Sequence, residues 1–330
     1  MKLQILIPQY KETEEVIKPL LDSLAIQQNV DFENDLGVII VNDGTDVHLS
    51  EEFLRSYPFK IEYYLNEHKG VSATRNACLD KATADYVMFC DADDMFYNAC
   101  GVWIIIQEIL NEEFDSLTSI FIEESRMPDT KKVTYLNHEM DSTFVHGKVH
   151  RRKYLLDNKI RWNDKLTIHE DSYFNILCQN LSKRVKYCQA PFYLWRWRDE
   201  SVCRHDPKYI LKTYNNLIDS NDALIDEFLK RGLIDKAAFY TNFLVFDAYY
   251  TMNKPEWINQ ENKQYRLDTE RRFANYFRKR KDLWDALGMQ DKMQISNGVR
   301  SRIVQEGMQM EAITLDSWLN YILKLKGGKK

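Results

Sequence analysis

No apolar stretch in this chain of 330 residues approaches the ~20 consecutive residues needed to span a bilayer. The amino terminus lacks a basic segment leading into an apolar one. It opens directly on the apolar run 3–7, so no secretory leader is expected. No two cysteines stand in C-x-x-C spacing. Cys78, Cys90, Cys100, Cys178, Cys188 and Cys203 are scattered, which argues against a zinc site of the usual kind and fits reduced, mostly buried thiols. Glycine (11) and proline (7) are sparse and form no tract, so no low-complexity segment is expected. A basic excess is missing too. The formal net charge of −5 argues against general nucleic-acid binding. These absences together predict a folded cytoplasmic chain, with at most peripheral contact at the inner face of a membrane.

The first third alternates strands and helices. Apolar runs at 3–7, closed by Pro8, and at 38–41, 61–65 and 85–90 read as buried strands. Val16, Leu20, Leu21 and Leu24 recur at helical spacing within 14–27, and 72–82 reads as a further helix. Such alternation predicts an α/β fold with a doubly wound, mostly parallel sheet. Ligands in these sheets bind beyond the carboxyl ends of the strands. Polar residues collect at those positions: Pro8-Gln9-Tyr10, Asn42-Asp43-Gly44-Thr45, the stretch 66–75, and Asp91-Ala92-Asp93-Asp94. Strands are expected at 116–122 and 132–136 and a helix at 170–181. From Pro207 onward the pattern is helical, with Leu211, Tyr214, Leu217 and Ile218 as one stripe, continued by Phe239, Phe243, Phe246 and Tyr250. A boundary near Asp206 divides a domain 1–206 from a helical domain 207–330.

The acidic loop carries the strongest chemical signal. Three carboxylates in four residues repel one another at the end of a buried strand unless a cation neutralises them. Mg²⁺ typically takes one or two protein carboxylates and completes its shell with phosphate oxygens, so the loop points to a metal–diphosphate site. One helix upstream, Gly70-Val71-Ser72-Ala73-Thr74-Arg75-Asn76 offers a flexible glycine, Ser72 as helix N-cap, and Arg75 in the first turn within reach of a phosphate or base.

Taken in order, Ile7-Pro8-Gln9-Tyr10, Val41-Asn42-Asp43-Gly44-Thr45, the 70–76 segment and residues 86–94 resemble a family 2 glycosyltransferase of GT-A fold, Rossmann-like with a helical carboxyl-terminal region. The resemblance implies that 1–97 binds the nucleotide-sugar and 98–206 forms the acceptor side. It implies that Pro8 and Tyr10 line a nucleobase pocket, that Asp43 accepts a hydrogen bond from the base, and that Arg75 helps hold the nucleotide. Asp91 would lie near the ribose or metal, and Asp93 would be the main ligand of Mn²⁺ or Mg²⁺. One departure stands out: the family usually has two acids where this chain has Asn42-Asp43.

Inverting transfer needs a base to take the acceptor's proton as its oxygen attacks the anomeric carbon. The resemblance places an acidic pair at Glu170-Asp171, usually with the second member catalytic. Asp171 is the expected base and Glu170 the alternative, since on a helix the two project roughly 100° apart. The pair would equally suit a plain helix start. Gly147 to Arg152 resembles a basic segment that could line an acceptor site, or could simply begin a helix. The stretch 193–202 resembles a segment that folds over the diphosphate, with Arg196, Arg198 and Ser201 as phosphate donors. His205 could complete the metal shell. One of Trp195 and Trp197 is expected to pack in the core and the other to line a pocket, in an order left open.

The expected activity is transfer of a hexose or N-acetylhexosamine from a UDP-sugar to a glycan, polyol-phosphate, lipid-linked or protein acceptor, as in surface polysaccharide or teichoic acid synthesis. The carboxyl-terminal domain could dock the acceptor, touch a membrane through its basic end, or mediate self-association. Two other classes use similar residues. A nucleotidyltransferase would open on a glycine-rich segment, and Gly37 is the only glycine among the first forty residues. A non-catalytic nucleotide-sugar-binding protein would keep Asp93 without depending on Asp171.

Overall fold

The computed structural model describes residues 1–127, 130–198 and 209–325. It divides into two compact units, Met1–Ser201 and Val202–Lys330. The first is built on one nine-stranded sheet: β1 (Leu3–Gln9), β2 (Leu36–Asn42), β3 (Lys60–Leu65), β4 (Tyr86–Phe89), β5 (Met95–Phe96), β6 (Ser116–Arg126), β7 (Val133–His138), β8 (Lys148–Arg151) and β9 (Val185–Trp195). Its helices are α1 (Glu14–Ala25), α2 (Glu51–Arg55), α3 (Val71–Lys81), α4 (Gly101–Asn111), α5 (Arg152–Asp157) and α6 (Glu170–Leu181). The strand order is β3-β2-β1-β4-β8-β6-β9-β5, with β7 paired to β6. The first four strands are parallel, as the βα alternation predicts. Beyond β4 the sheet is mixed, because β8 runs antiparallel to both β4 and β6 while β6 and β9 are parallel.

Pro8 does not end β1. The strand continues in register to Gln9, with Pro8 opposite Val41. Even-numbered residues of β1 face β4 with their backbone groups, as the Cys90 N–H donated to Leu6 O records. Pairing with β4 stops at Leu6–Phe89, so the N–H that proline lacks falls where no partner is needed. The buried faces of β1, β2 and β4 are almost wholly aliphatic and pack on Ile17, Leu20, Leu21 and Leu24 of α1. The sheet's carboxyl edge therefore carries the polar loops, and burial of the apolar faces holds them there.

The second unit is helical: α7 (Tyr209–Lys230), α8 (Ile234–Met252), α9 (Pro255–Ile258), α10 (Lys263–Asp285), α11 (Met289–Ile303) and α12 (Leu315–Lys324). Helix α8 packs against α7, α10 and α11. Leu211, Tyr214 and Ile218 enter a core with Trp257, Phe273 and Trp318, whereas Phe239 is 41% exposed and departs from the expected stripe. The basic run of α10 is not a free solvated face. Arg272, Lys279 and Arg280 pair with Asp219, Asp222 and Asp226, which recur at helical spacing on α7. No helix among the described residues is long and apolar enough to cross a membrane.

Candidate active site

Strand β4 is buried along its whole length and delivers Asp91-Ala92-Asp93-Asp94 at its carboxyl end. The Asp94 N–H closes the turn on Asp91 O at 3.2 Å, and the three carboxylates take different partners. Asp91 Oδ1 lies 2.8 Å from Arg75 Nη2. Asp93 Oδ2 lies 3.0 Å from Arg198 Nη1, while Arg196 donates to the Asp93 carbonyl at 3.1 Å. Asp94 is buried and accepts from the Tyr193 hydroxyl at 2.5 Å and from the Arg196 N–H at 3.0 Å. Burial pushes the Asp94 carboxyl well above the usual range, with Asp93 and Asp91 adding to the rise. Burial and Asp91 also raise Asp93, against the pull of Arg198. Asp91 is pushed up by burial as well, but the Arg75 guanidinium beside it works against this, and its carboxyl ends below the ordinary carboxylate range.

His146 is the unexpected member of this site. Its ring is 3% exposed and stacks on Tyr193 (centroids 5.0 Å apart) and Phe144 (5.6 Å), with Trp195 also at 5.0 Å. Burial pulls its pKa down to about 3, so the imidazole is neutral. Its Nδ1 stands 3.6 Å from Asp94 Oδ2 and has no hydrogen-bond partner among the described residues. That nitrogen and one carboxylate oxygen each from Asp91 and Asp94 lie within 4.8 Å of one another. Two carboxylates and a neutral imidazole, buried together, suit a divalent cation in donor type and charge. This cluster can coordinate a divalent metal. Of the expected ligands, Asp91 is in it, Asp93 stands beside it with its carboxylate on Arg198, and His205 lies outside the described residues, as does Ser201. Asp94 sat inside the acidic motif without an assigned role, and nothing in the sequence around His146 marked it.

Helix α3 starts at Val71, one residue earlier than the sequence suggests. Its N-cap is Gly70, at φ 90°, not Ser72. Ser72 is buried inside the first turn and donates to Leu166 O at 3.2 Å. Arg75 consequently lies beyond the first turn, in the interior, with Nη1 on Glu170 Oε1 at 2.9 Å and Nη2 on Asp91. Its guanidinium sits 4.4 Å from the Trp162 ring centroid. Helix α6 begins at Glu170 as expected, after His169 in the left-handed region at φ 62°. Glu170 is spent on Arg75. Asp171 has no ion pair among the described residues and accepts from its neighbour's N–H on Ser172 at 2.7 Å. Burial, then Glu170, lifts Asp171 to about 7, with Arg75 working the other way. A carboxyl poised there can exchange a proton near neutrality.

At the other end of the sheet edge, Asp43 is buried and accepts from the N–H of Lys69 (2.8 Å) and Gly70 (3.0 Å) and from His68 Nδ1 (2.9 Å). A carboxylate has about four acceptor positions, so one direction remains for a donor on a ligand. Asn42 points the other way, into the interior. Its amide donates to Val47 O at 2.8 Å, and its carbonyl accepts from the Thr45 N–H at 2.9 Å. The departure at Asn42 therefore concerns the fold of this turn, while Asp43 holds the 68–70 loop. Tyr10 is exposed, stacked on His68 with centroids 4.9 Å apart, directly after Pro8-Gln9.

The basic segment 147–152 runs through β8 and begins α5 at Arg152, with Arg151 as its N-cap, and its first members are buried. Lys148 is 2% exposed, donates to Phe144 O at 2.5 Å and lies 3.6 Å from Asp141, and burial lowers its pKa to about 8. His150 is likewise buried, bonded to Ser116 at 3.0 Å. Trp195 packs on Phe144 and His146, and the Trp197 N–H donates to Glu124 at 3.4 Å.

The pattern of glycosyl transferase family 2 matches residues 4–171, about half of the chain. The poly(ribitol-phosphate) beta-N-acetylglucosaminyltransferase TarS of Staphylococcus aureus is 25% identical over 211 residues, which is 61% of this chain and 36% of TarS. The putative glycosyltransferase EpsH of Bacillus subtilis is 24% identical over 245 residues, 65% of this chain and 67% of EpsH. The chain thus spans about a third of the length of TarS. A crystal structure of S. aureus TarS 1–349 superimposes with a TM-score of 0.61 at 16% identity, covering 95% of this chain and 100% of that one. At such identity the likeness speaks for the fold, and it agrees with the sheet described above. With its ordered motifs on one sheet edge and the family pattern running from β1 to the start of α6, this chain belongs to glycosyl transferase family 2 and has the GT-A fold.

Proposed function

We propose that this protein is an inverting glycosyltransferase that moves a sugar from a UDP-sugar to an acceptor hydroxyl, with Mn²⁺ or Mg²⁺ bound at the acidic loop. The observation that carries this reading is the pairing of Asp91 and Glu170 through one guanidinium, which sets the acidic loop beside an acid at about pKa 7. A relative that transfers N-acetylglucosamine to poly(ribitol-phosphate), and a structurally similar fragment crystallised with UDP and with UDP-GlcNAc, favour an N-acetylhexosamine donor and a polyol-phosphate or glycan acceptor.

In this reading Pro8, Tyr10 and Asp43 hold the nucleobase, and 1–97 is the donor side. Asp91, Asp94 and His146, with Asp93 alongside, would hold the cation. When bound, the cation would balance charge on the diphosphate. Arg196, Arg198 and Ser201 donate to phosphate oxygens and stabilise the leaving group. On the acceptor side, within 98–206, an Asp171 oxygen takes the hydroxyl proton while the acceptor oxygen bonds to the anomeric carbon. The bond from that carbon to the diphosphate breaks on the opposite face, which inverts the configuration.

A panel of nucleotide-sugars, with and without divalent metal and with glycan and polyol-phosphate acceptors, tests the class by release of nucleoside diphosphate. Release from one UDP-sugar, dependent on metal, is expected. Pyrophosphate release instead, or no release from any donor, would overturn the assignment. Asp171→Asn is expected to lower transfer by at least ~10²-fold while leaving UDP affinity unchanged.

A further inference from the structure

Arg75 is a strongly buried cation whose surroundings differ from those of a nucleotide ligand. Its side chain is 5% exposed, and both Nη ends are occupied, one by Asp91 at 2.8 Å and one by Glu170 at 2.9 Å. Arg75 Nε has no hydrogen-bond partner among the described residues, but a phosphate or base that displaced either carboxylate would strip a partly or wholly buried acid of its cation. The flat of the guanidinium rests on Trp162, which stacks on Phe174 of α6 (centroids 4.1 Å apart, 5° between planes) and meets Phe89 of β4 edge-on. The same face of α3 grips this segment at two further points. Ser72, three residues before Arg75, donates to Leu166 O. Asn76, the next residue, donates to Trp162 O at 2.9 Å and accepts the Trp162 N–H at 3.0 Å.

We propose that Arg75 is a positioning residue: it braces the acidic loop after β4 against the start of α6, and so places Asp171. The proposal rests on Asp171 being the base and gives α3 a role that the sequence had assigned to nucleotide binding. A planar fork directs its two Nη ends at two carboxylates in fixed directions, a geometry that the point charge of lysine does not reproduce. The charges facing Asp171 are Glu170 on its own helix, Asp91 from the acidic loop, Arg75 from α3 and Lys148 from β8. Glu170 and Asp91 disfavour its ionised form and Arg75 favours it, so the bridging cation and the two carboxylates it joins act on Asp171 with opposite signs.

The test measures kcat/KM for the acceptor against pH at saturating donor, together with UDP affinity, in Arg75→Lys, Arg75→Met and Glu170→Gln. Both Arg75 variants are expected to keep UDP affinity within about twofold and to lose kcat by roughly 10- to 100-fold, the cost of a misplaced reacting group. The acidic limb of the profile should move up by roughly one pH unit in Arg75→Met and down in Glu170→Gln, since one change removes a positive neighbour and the other a negative one. A tenfold or greater loss of UDP affinity in Arg75→Lys with the limb unmoved would make Arg75 a nucleotide ligand and overturn the proposal. Loss of activity in all variants with no shift of the limb would reduce the bridge to a fold element and overturn it equally. Should Arg75→Met fail to fold, Glu170→Gln carries the test alone through the sign of its shift. Normal turnover in Asp171→Asn sinks the base assignment itself, which separates that failure from this one.

Discussion

Asp171 makes the site's chemistry depend on pH, and the sign can be worked out. Its folded pKa of about 7 lies above the ordinary 3.8, so between pH 4 and 7 the folded chain holds a proton that the unfolded chain has lost. Stability contributed by this group is therefore present at low pH and falls as pH rises through that window. Catalysis needs the ionised form and rises over the same range. Asp171→Asn should accordingly melt higher than the parent at pH 8, by roughly 2–4 °C for each kcal/mol relieved, with little difference at pH 4. Thermal melts at the two pH values check this. Asn42 behaves in the opposite way. Its amide feeds Val47 O, so Asn42→Asp would face a carboxylate to a carbonyl and should cost about 1–3 kcal/mol in chemical denaturation. UDP affinity of the folded fraction should be unchanged, because Asp43, not Asn42, has an acceptor position left for a ligand. The sequence could mark Asn42 as a departure, but which way each of two adjacent side chains points depends on the register of β2 between its neighbours.

At the scale of elements, the loops carry the site and their glycines decide how closely they approach. Gly44 has φ +70°, and a Cβ there would stand 2.3 Å from the His68 backbone nitrogen. Gly70 has φ +90° but open space around it. Gly70→Ala should therefore cost only the backbone strain of its nearly glycine-only conformation (φ 90°, ψ 166°), about 1–3 kcal/mol. Gly44→Ala should cost more and also weaken UDP binding, since it pushes the 66–70 loop off Asp43. Equal costs by denaturation and equal UDP affinities would argue against this account. Helix α6 could be read from its acidic first turn and apolar face. Strand β8 could not: Lys148 and His150 look like surface residues, and only Asp141, the Phe144 carbonyl and Ser116, all distant in sequence or in a loop, make their burial tolerable. The setting of Arg75 was hidden for a related reason. Its two partners lie 16 and 95 residues away, and no local pattern announces them.

For the molecule as a whole, a cation bound only by the folded state adds stability by mass action, about 2.7 kcal/mol at a hundredfold excess over its dissociation constant. A Mn²⁺ titration followed by thermal unfolding should show that gain in the parent and lose most of it in His146→Phe, whose ring fits the aromatic stack but offers no nitrogen. An unchanged metal response in that variant would remove His146 from the cation site. Separate hydrophobic cores serve the two units, with the candidate chemistry in the first and paired charges of α7 and α10 ordering the second.

The amino-acid sequence alone determined the βα alternation, the order of the four motifs, the acidic loop at the end of β4 and the acidic pair that opens α6. Each of these is written in neighbouring residues, through apolar periodicity, turn chemistry or charge crowded into a few positions. Folding decided what no local window contains: that Arg75 bridges the loop and the helix, that Asp94 and His146 turn inward together, and that Lys148 is buried. Those outcomes depend on strands β4, β8, β6 and β9 lying side by side, which brings together charges and rings far apart in the chain and removes the water that would otherwise satisfy them.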